Sequence, residues 1–239
     1  MNPPQRPVVA IDGAAGTGKS TVARRLARRL ALPYLDTGAM YRALALFVLA
    51  RGLDPDDRDA VTAILPEAEI ELRLDDESRA EVLLGGEPVE PRIRSSEVAA
   101  ATSRIAVHPE VRERMVALQR RLAREHGGVI EGRDIGTRVV PETPFKFFLV
   151  ADAAVRARRR LADLRSAGRA DATLETVESE IAERDARDAN RPLSPLEPAA
   201  DAVEVDTTAL DVDAVVARLL EAIRRQGGHV PSGEGAEVG

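Results

Sequence analysis

The sequence predicts an α/β fold: a five-stranded parallel sheet with helices on both faces, a small antiparallel β insert and a short helical lid. Three observations predict it. Five short apolar runs alternate with helical patterns along the 239 residues. Between the second and third runs the apolar spacing changes from a period near 3.6 to a period of 2, which marks the insert. The first run, VVAID, leads straight into GAAGTGKS, Gly13 to Ser20, and then a helix.

Each element has its own signal. Val8 to Asp12 read as the first strand, and Val22, Leu26 and Leu30 recur at helical spacing after it, with Arg24, Arg25, Arg28 and Arg29 on the solvated faces. Pro33 ends that helix, Tyr34 to Asp36 form a short strand, and a helix from Ala39 to Arg51 stops at Gly52. A polar helix spans Asp57 to Leu65. Ile70, Leu72 and Leu74 then alternate with charges, Glu81 to Leu84 pair with them, and Gly85-Gly86 makes a turn, so residues 67–94 read as the insert. Helices follow from Ser95 to Val107 and from Pro109, with Val111, Met115, Leu118 and Leu122 on one face and Gly127-Gly128 at the end. VIEGRD gives a buried strand ending in charges, and KFFLVA gives another. A helical region from Ala153 to Arg191 breaks near Gly168, with the lid over about 153–172; Ala202 to Thr208 form the last strand and Val212 to Arg224 the last helix. Residues 1–226 make one domain, and the Gly/Pro-rich tail 227–239 is expected to be disordered.

Composition narrows the function. The net charge of −6 excludes a sequence-independent nucleic-acid binder, which needs a basic footprint, and 3% aromatic residues exclude serial base stacking. The chain has no cysteine, and His108, His126 and His229 are too scattered for zinc. With no apolar run of membrane length and no secretory leader, a cytoplasmic protein is expected.

GAAGTGKS reads as a phosphate-binding loop. Its glycines let successive N–H groups turn toward an anion, and the following helix aims its positive end at the same place. Gly13, Ala14, Ala15, Gly16, Thr17, Gly18, Lys19, Ser20 and Thr21 form the ATP-binding set; Lys19 reaches the β- and γ-phosphates and Ser20 offers its hydroxyl to Mg²⁺. Asp36, with Glu131, ends a strand beside this loop, where it would hold Mg²⁺ through water. Such a loop serves kinases, GTPases and ATPases alike. No Asn-Lys-x-Asp segment supports guanine recognition, whereas Arg42, Arg112, Arg133, Arg184, Arg187 and Arg191 come from separate elements. Cations around two phosphates suit a kinase whose acceptor is itself a phosphate.

GAAGTGKS, LDTGAMYR, VHPEVRE, EGRDIGT and ERDARDANR occur in the order found in bacterial cytidylate kinases, which the chain resembles over residues 7–225. The resemblance implies a nucleoside-monophosphate-kinase fold that phosphorylates CMP and dCMP with ATP and Mg²⁺. It implies that Arg42, Arg133 and Arg191 hold the acceptor phosphate, that Lys19, Arg133 and Arg191 are catalytic, and that Asp134 and Ser103 accept from the cytosine amino group while Arg112 donates to the ring. Arg184 and Asp188 would address the sugar, and Thr37 and Tyr41 would line the acceptor pocket. At i, i+4, i+7, Arg184, Asp188 and Arg191 share one helix face, which is also the pattern of a surface ion-pair ladder. The plainer alternative for Asp134 is a pair with Arg133, and for Ser103 a bond to its own helix. Among Arg156 to Arg160 and Arg169, one or two reach ATP, with Arg160 in the ATP-binding set. A monomer is expected, with no nucleic-acid or membrane partner. Rival readings are a kinase for UMP or AMP and a nucleotide-driven switch.

Overall fold

The computed structural model describes residues 6–75, 80–166, 168–191 and 193–231. β1 (Val8–Gly13) leads through the glycine-rich loop into α1 (Lys19–Leu30), β2 (Tyr34–Asp36) and α2 (Thr37–Ala50), followed by the short α3 (Arg58–Ile64). The Asp36 carboxylate accepts from the Ala39 N–H at 2.9 Å, so α2 begins at Thr37, two residues ahead of the expected start. The insert is β3 (Ile70–Leu74), β4 (Ala80–Leu84) and β5 (Glu87–Pro88). The two-residue β5 is not legible in the sequence; its Pro88 is tolerated because the strand lies at the sheet edge.

Ser95 caps α4 (Ser96–Ile105) through the Val98 N–H, and Pro109 opens α5 (Pro109–His126). β6 (Gly128–Gly132), β7 (Phe145–Val150) and β8 (Val203–Asp206) complete the main sheet. After β7 come α6 (Ala153–Ser166), in the stretch expected to form the lid, and α7 (Leu174–Ala189), and α8 (Val212–Arg225) closes the fold. Between β6 and β7 the chain makes a single π-helical turn, Ile135–Val139, which apolar periodicity does not announce.

Among the described residues the main sheet has the order β2-β6-β1-β7-β8, and every neighbouring pair is parallel. Alternation along each strand sends side chains to two cores. Val9, Ile11, Val129, Phe147 and Leu149 meet α1 and α8 on one face, while Ala10 and Ile130 meet the residues of α2, α4 and α5 on the other. A register slip of one residue would exchange these sets and put the strands' apolar side chains against the wrong helices. Leu26 of α1 is fully buried, and truncating it to alanine costs about 2–5 kcal/mol.

From β1 the chain turns one way to build β2 and β6 and the other way to build β7 and β8. The crevice at the carboxyl ends of β1 and β6 is therefore the place for a ligand. The insert rests Ile70 and Val82 on the α2 side of the core, and Ala157, Val177 and Ile181 form a separate small cluster between α6 and α7. The first residues of the expected tail fold back: Val230 packs against the α1–α8 core, while 232–239 lie outside the described residues. No described helix is long and apolar enough to cross a membrane.

Candidate active site

The phosphate loop is held where a side chain cannot fit. A Cβ on Gly13, at φ 148°, would lie 2.3 Å from the Leu149 carbonyl oxygen, and one on Gly16, at φ 77°, 2.8 Å from that of Arg156. The loop is thus pressed between β7 and α6. Gly18 offers no side chain to cap α1, and the first turn of α1 has no acid, so its N–H groups and dipole face the crevice uncompensated. Lys19 folds back: its Nζ donates to the Ala14 carbonyl at 2.6 Å, which also accepts from the Thr17 hydroxyl at 3.0 Å. Burial first, then the Arg133 charge, holds the Lys19 ammonium well below its ordinary pKa.

Beside the loop, Glu131 is buried and accepts a hydrogen bond from the Tyr34 hydroxyl. Burial, followed by the neighbouring Asp36 charge, raises its carboxyl above the ordinary range. Asp36 divides its oxygens between the α2 cap and Arg42, which donates at 2.9 Å. Ser20, Asp36 and Glu131 make a set of hard oxygen donors that suits Mg²⁺. No described group of three or more His, Cys, Asp or Glu closes around a metal.

The other wall is a lattice of arginines and acids. Arg112, 2% exposed, donates to Asp134 and lies 5.8 Å from the Tyr41 ring centroid. Asp134 thus pairs with Arg112 rather than with Arg133. Arg133 Nε instead donates to Asp188 Oδ2 at 3.0 Å, and Arg191 donates to Asp188 Oδ1. Burial alone would raise the Asp188 carboxyl; Arg133, Arg191 and Arg184 outweigh it and hold it below the ordinary range. Asp188 therefore sits behind Arg133 and Arg191 with both oxygens engaged. Arg191 lies beyond the end of α7 and does not continue the helix face of Arg184 and Asp188.

Among the described residues, the Nε atoms of Arg42, Arg112, Arg184 and Arg191 and the Tyr41 hydroxyl are buried without a hydrogen-bond partner. Orphaned buried donors of this kind cost energy unless an acceptor arrives, and here they border one cavity. Burial, then repulsion from Arg133, pushes the Arg184 guanidinium down to about 9, as expected for a cation among cations awaiting an anion. Ser103 lines the same cavity and accepts from Arg187 at 2.7 Å, so Arg187 reaches across from α7 to α4.

The cavity brings together Lys19, Ser20, Thr21, Asp36, Thr37, Tyr41, Arg42, Ser103, Arg112, Arg133, Asp134, Arg160, Arg184 and Arg191. The arginines of the expected lid separate by task. Arg156 donates to the Ala15 carbonyl and pairs with Asp185, Arg159 donates to Thr207, Arg169 pairs with Asp171, Arg158 is exposed, and Arg160 borders the cavity. Asp12, Tyr34 and Thr207 escaped the sequence reading. Only Asp12 left a trace there, as an acid ending an apolar strand.

A family model described as cytidylate kinase matches residues 9–225. The chain is 46% identical over 218 residues to a cytidylate kinase of Geobacillus sp. (strain WCH70), covering 91% of this chain and 96% of that one. It is 43% identical over 230 residues to a cytidylate kinase of Syntrophotalea carbinolica, covering 96% and 97%. It is also 44% identical over 222 residues to a bifunctional pantoate ligase/cytidylate kinase of Synechococcus sp. (strain CC9902), where the match covers 93% of this chain and 46% of that longer protein.

Proposed function

The chain belongs to the cytidylate kinase family, and from that premise we propose that the cavity transfers the γ-phosphoryl group of ATP in line to the phosphate of CMP or dCMP. The observation that carries this assignment of the site is the set of buried, unpartnered arginine Nε atoms facing Lys19 across one cavity. Donor phosphates lie along the loop and the start of α1, and the acceptor phosphate lies among Arg42, Arg133 and Arg191. Arg184 stands between them.

An acceptor phosphate oxygen forms the new bond to the γ-phosphorus as the bond to the ADP oxygen breaks. The attacking group is already an oxyanion, so no general base is required. Lys19 exchanges its bond to the Ala14 carbonyl for the transferring group, and the arginines neutralise charge on the acceptor. Ser20 directly, and Asp36 with Glu131 through water, would hold Mg²⁺, which supplies charge neutralisation of the β- and γ-phosphates when bound.

The base is read at the Arg112–Asp134 pair and Ser103. A carboxylate that accepts from the cytosine amino group faces a lone pair in uracil, and such a mismatch separates analogues by about 10⁴. Asp188 orients Arg133 and Arg191; its reach to the sugar needs one of them to release it.

The deciding experiment follows ATP consumption with CMP, dCMP, UMP and AMP. CMP and dCMP should be turned over far faster than UMP and AMP. A preference for AMP or UMP, or no stimulation by any monophosphate, overturns the assignment.

A further inference from the structure

The turn that carries Asp134 presents an anomaly. In the π-helical turn Ile135–Val139, the Asp134 carbonyl accepts from the Arg138 N–H at 2.8 Å and the Val139 N–H at 3.2 Å, and the Ile135 carbonyl accepts from the Val140 N–H at 2.8 Å. The N–H groups of Ile135 and Gly136 open the turn and have no carbonyl upstream to receive them. Asp134 occupies the capping position, and aspartate is among the best residues for satisfying such orphan donors with its own side chain. It makes no capping bond. Its carboxylate is turned instead to Arg112 in the cavity.

The capping is done from another element. Asp12, the residue of β1 just before Gly13, is 5% exposed; its Oδ1 accepts from the Ile135 N–H at 2.8 Å and its Oδ2 from the Gly136 N–H at 2.8 Å. The fit is close, since a Cβ on Gly136 would lie 3.2 Å from the Lys146 side chain and 3.4 Å from Asp12 Oδ2. A buried carboxylate is a costly filler for a strand end, and burial, opposed by the two N–H bonds, raises Asp12 to about 6.

We propose that Asp12 is a positioning residue for base recognition: it caps the turn in place of Asp134 and so leaves the Asp134 carboxylate free for the acceptor base. The role rests on the reading of Asp134 as the cytosine-reading carboxylate. Without Asp12, the two orphan N–H groups recruit the nearest carboxylate, that of Asp134, and pull it out of the base site. The same residue immediately precedes the phosphate loop, so one side chain joins the strand that feeds the donor loop to the base-reading turn.

The test compares Asp12→Asn with Asp134→Ala by steady-state kinetics with CMP, UMP and ATP. An asparagine keeps one acceptor and turns an amide N–H₂ toward the second backbone N–H. A lost bond of this type predicts about a tenfold rise in KM for CMP and about a tenfold fall in the CMP-to-UMP ratio of kcat/KM, with KM for ATP within about twofold of wild type. An unchanged ratio, or equal losses with CMP, UMP and ATP, overturns the role of Asp12. If Asp134→Ala also leaves the ratio unchanged, the base-site reading itself has failed; if it alone lowers the ratio, only the role of Asp12 has. Should Asp12→Asn not fold, Asp12→Ser, with a hydroxyl acceptor and no opposing amide, is measured in its place. Failure of both to fold also overturns the proposal, because a carboxylate required for folding is not a device for base reading.

Discussion

In the proposed reading, the donor and acceptor halves of the cavity face one problem, holding phosphates, and meet it by opposite means. The donor half is local: residues 13–21 supply backbone N–H groups and one lysine whose resting partner is its own loop, the Ala14 carbonyl. The acceptor half is assembled from α2, α4, α5, the turn after β6, α7 and the segment beyond it, and nearly every cation in it rests on a carboxylate. A loop whose shape is fixed by glycines against Leu149 and Arg156 needs few ion pairs to stay ready. Side chains gathered from distant elements need partners that hold their geometry before substrate arrives.

Substitutions in each half break or sharpen this contrast. Lys19→Ala should lower kcat about 10³-fold, near 4 kcal/mol of transition-state stabilisation, in steady-state assays. It should leave urea unfolding nearly unchanged, because a buried ammonium with a depressed pKa contributes little to the resting fold. A tenfold effect only would mean that the backbone nest alone does the donor's work. Asp188→Asn should show the reverse emphasis: removing the anion between Arg133 and Arg191 should cost about 3–5 kcal/mol in urea unfolding, and CMP should restore more stability to the variant than it adds to wild type.

Asp12, which joins the halves, has a pH signature. Its folded pKa of about 6 lies above the ordinary 3.8, so the folded protein holds a proton that the unfolded chain has released. Its contribution to stability is fully present below about pH 4 and is lost as pH rises through about 6, by on the order of 3 kcal/mol. The stability difference between wild type and Asp12→Asn, followed by urea unfolding from pH 4 to 7, should fall across that window; a flat difference would place Asp12 outside the titration. The smallest effect belongs to Arg160→Ala, which should raise KM for ATP about tenfold with little change in KM for CMP. A shift in KM for CMP instead would move Arg160 into the acceptor half.

The same contrast governs what could be read without coordinates. GAAGTGKS is contiguous and its chemistry follows from residue types, so the loop and the first helix were legible, and Lys19 and Ser20 could be placed beside the cavity they line. The five parallel strands were legible too, because Val9, Ile11, Phe147 and Leu149 are apolar for reasons of burial alone. The residues proposed for the acceptor could be named through the motifs they share with a family, but their pairing could not: nothing in the spacing tells that Asp134 turns to Arg112, or that Asp188 unites Arg133 with Arg191. The π-helical turn and β5 left no periodic trace, being too short for one. Asp12 could be seen as a misplaced acid, yet its partners lie more than a hundred residues away.

The pairing of arginines with acids has a consequence for encounter. Arg42, Arg112, Arg133 and Arg191 share three carboxylates, Asp36, Asp134 and Asp188, while Lys19, Arg184 and the start of α1 keep positive charge facing the cavity, so the field an approaching dianion meets is countered only in part. Capture of the monophosphate should therefore be steered by the cations left over and should slow as ionic strength rises. In the proposed reading the paired guanidinium groups come into force only after arrival, when phosphate oxygens reach the unpartnered Nε atoms, so these arginines would act more on how long the nucleotide stays than on how often it comes.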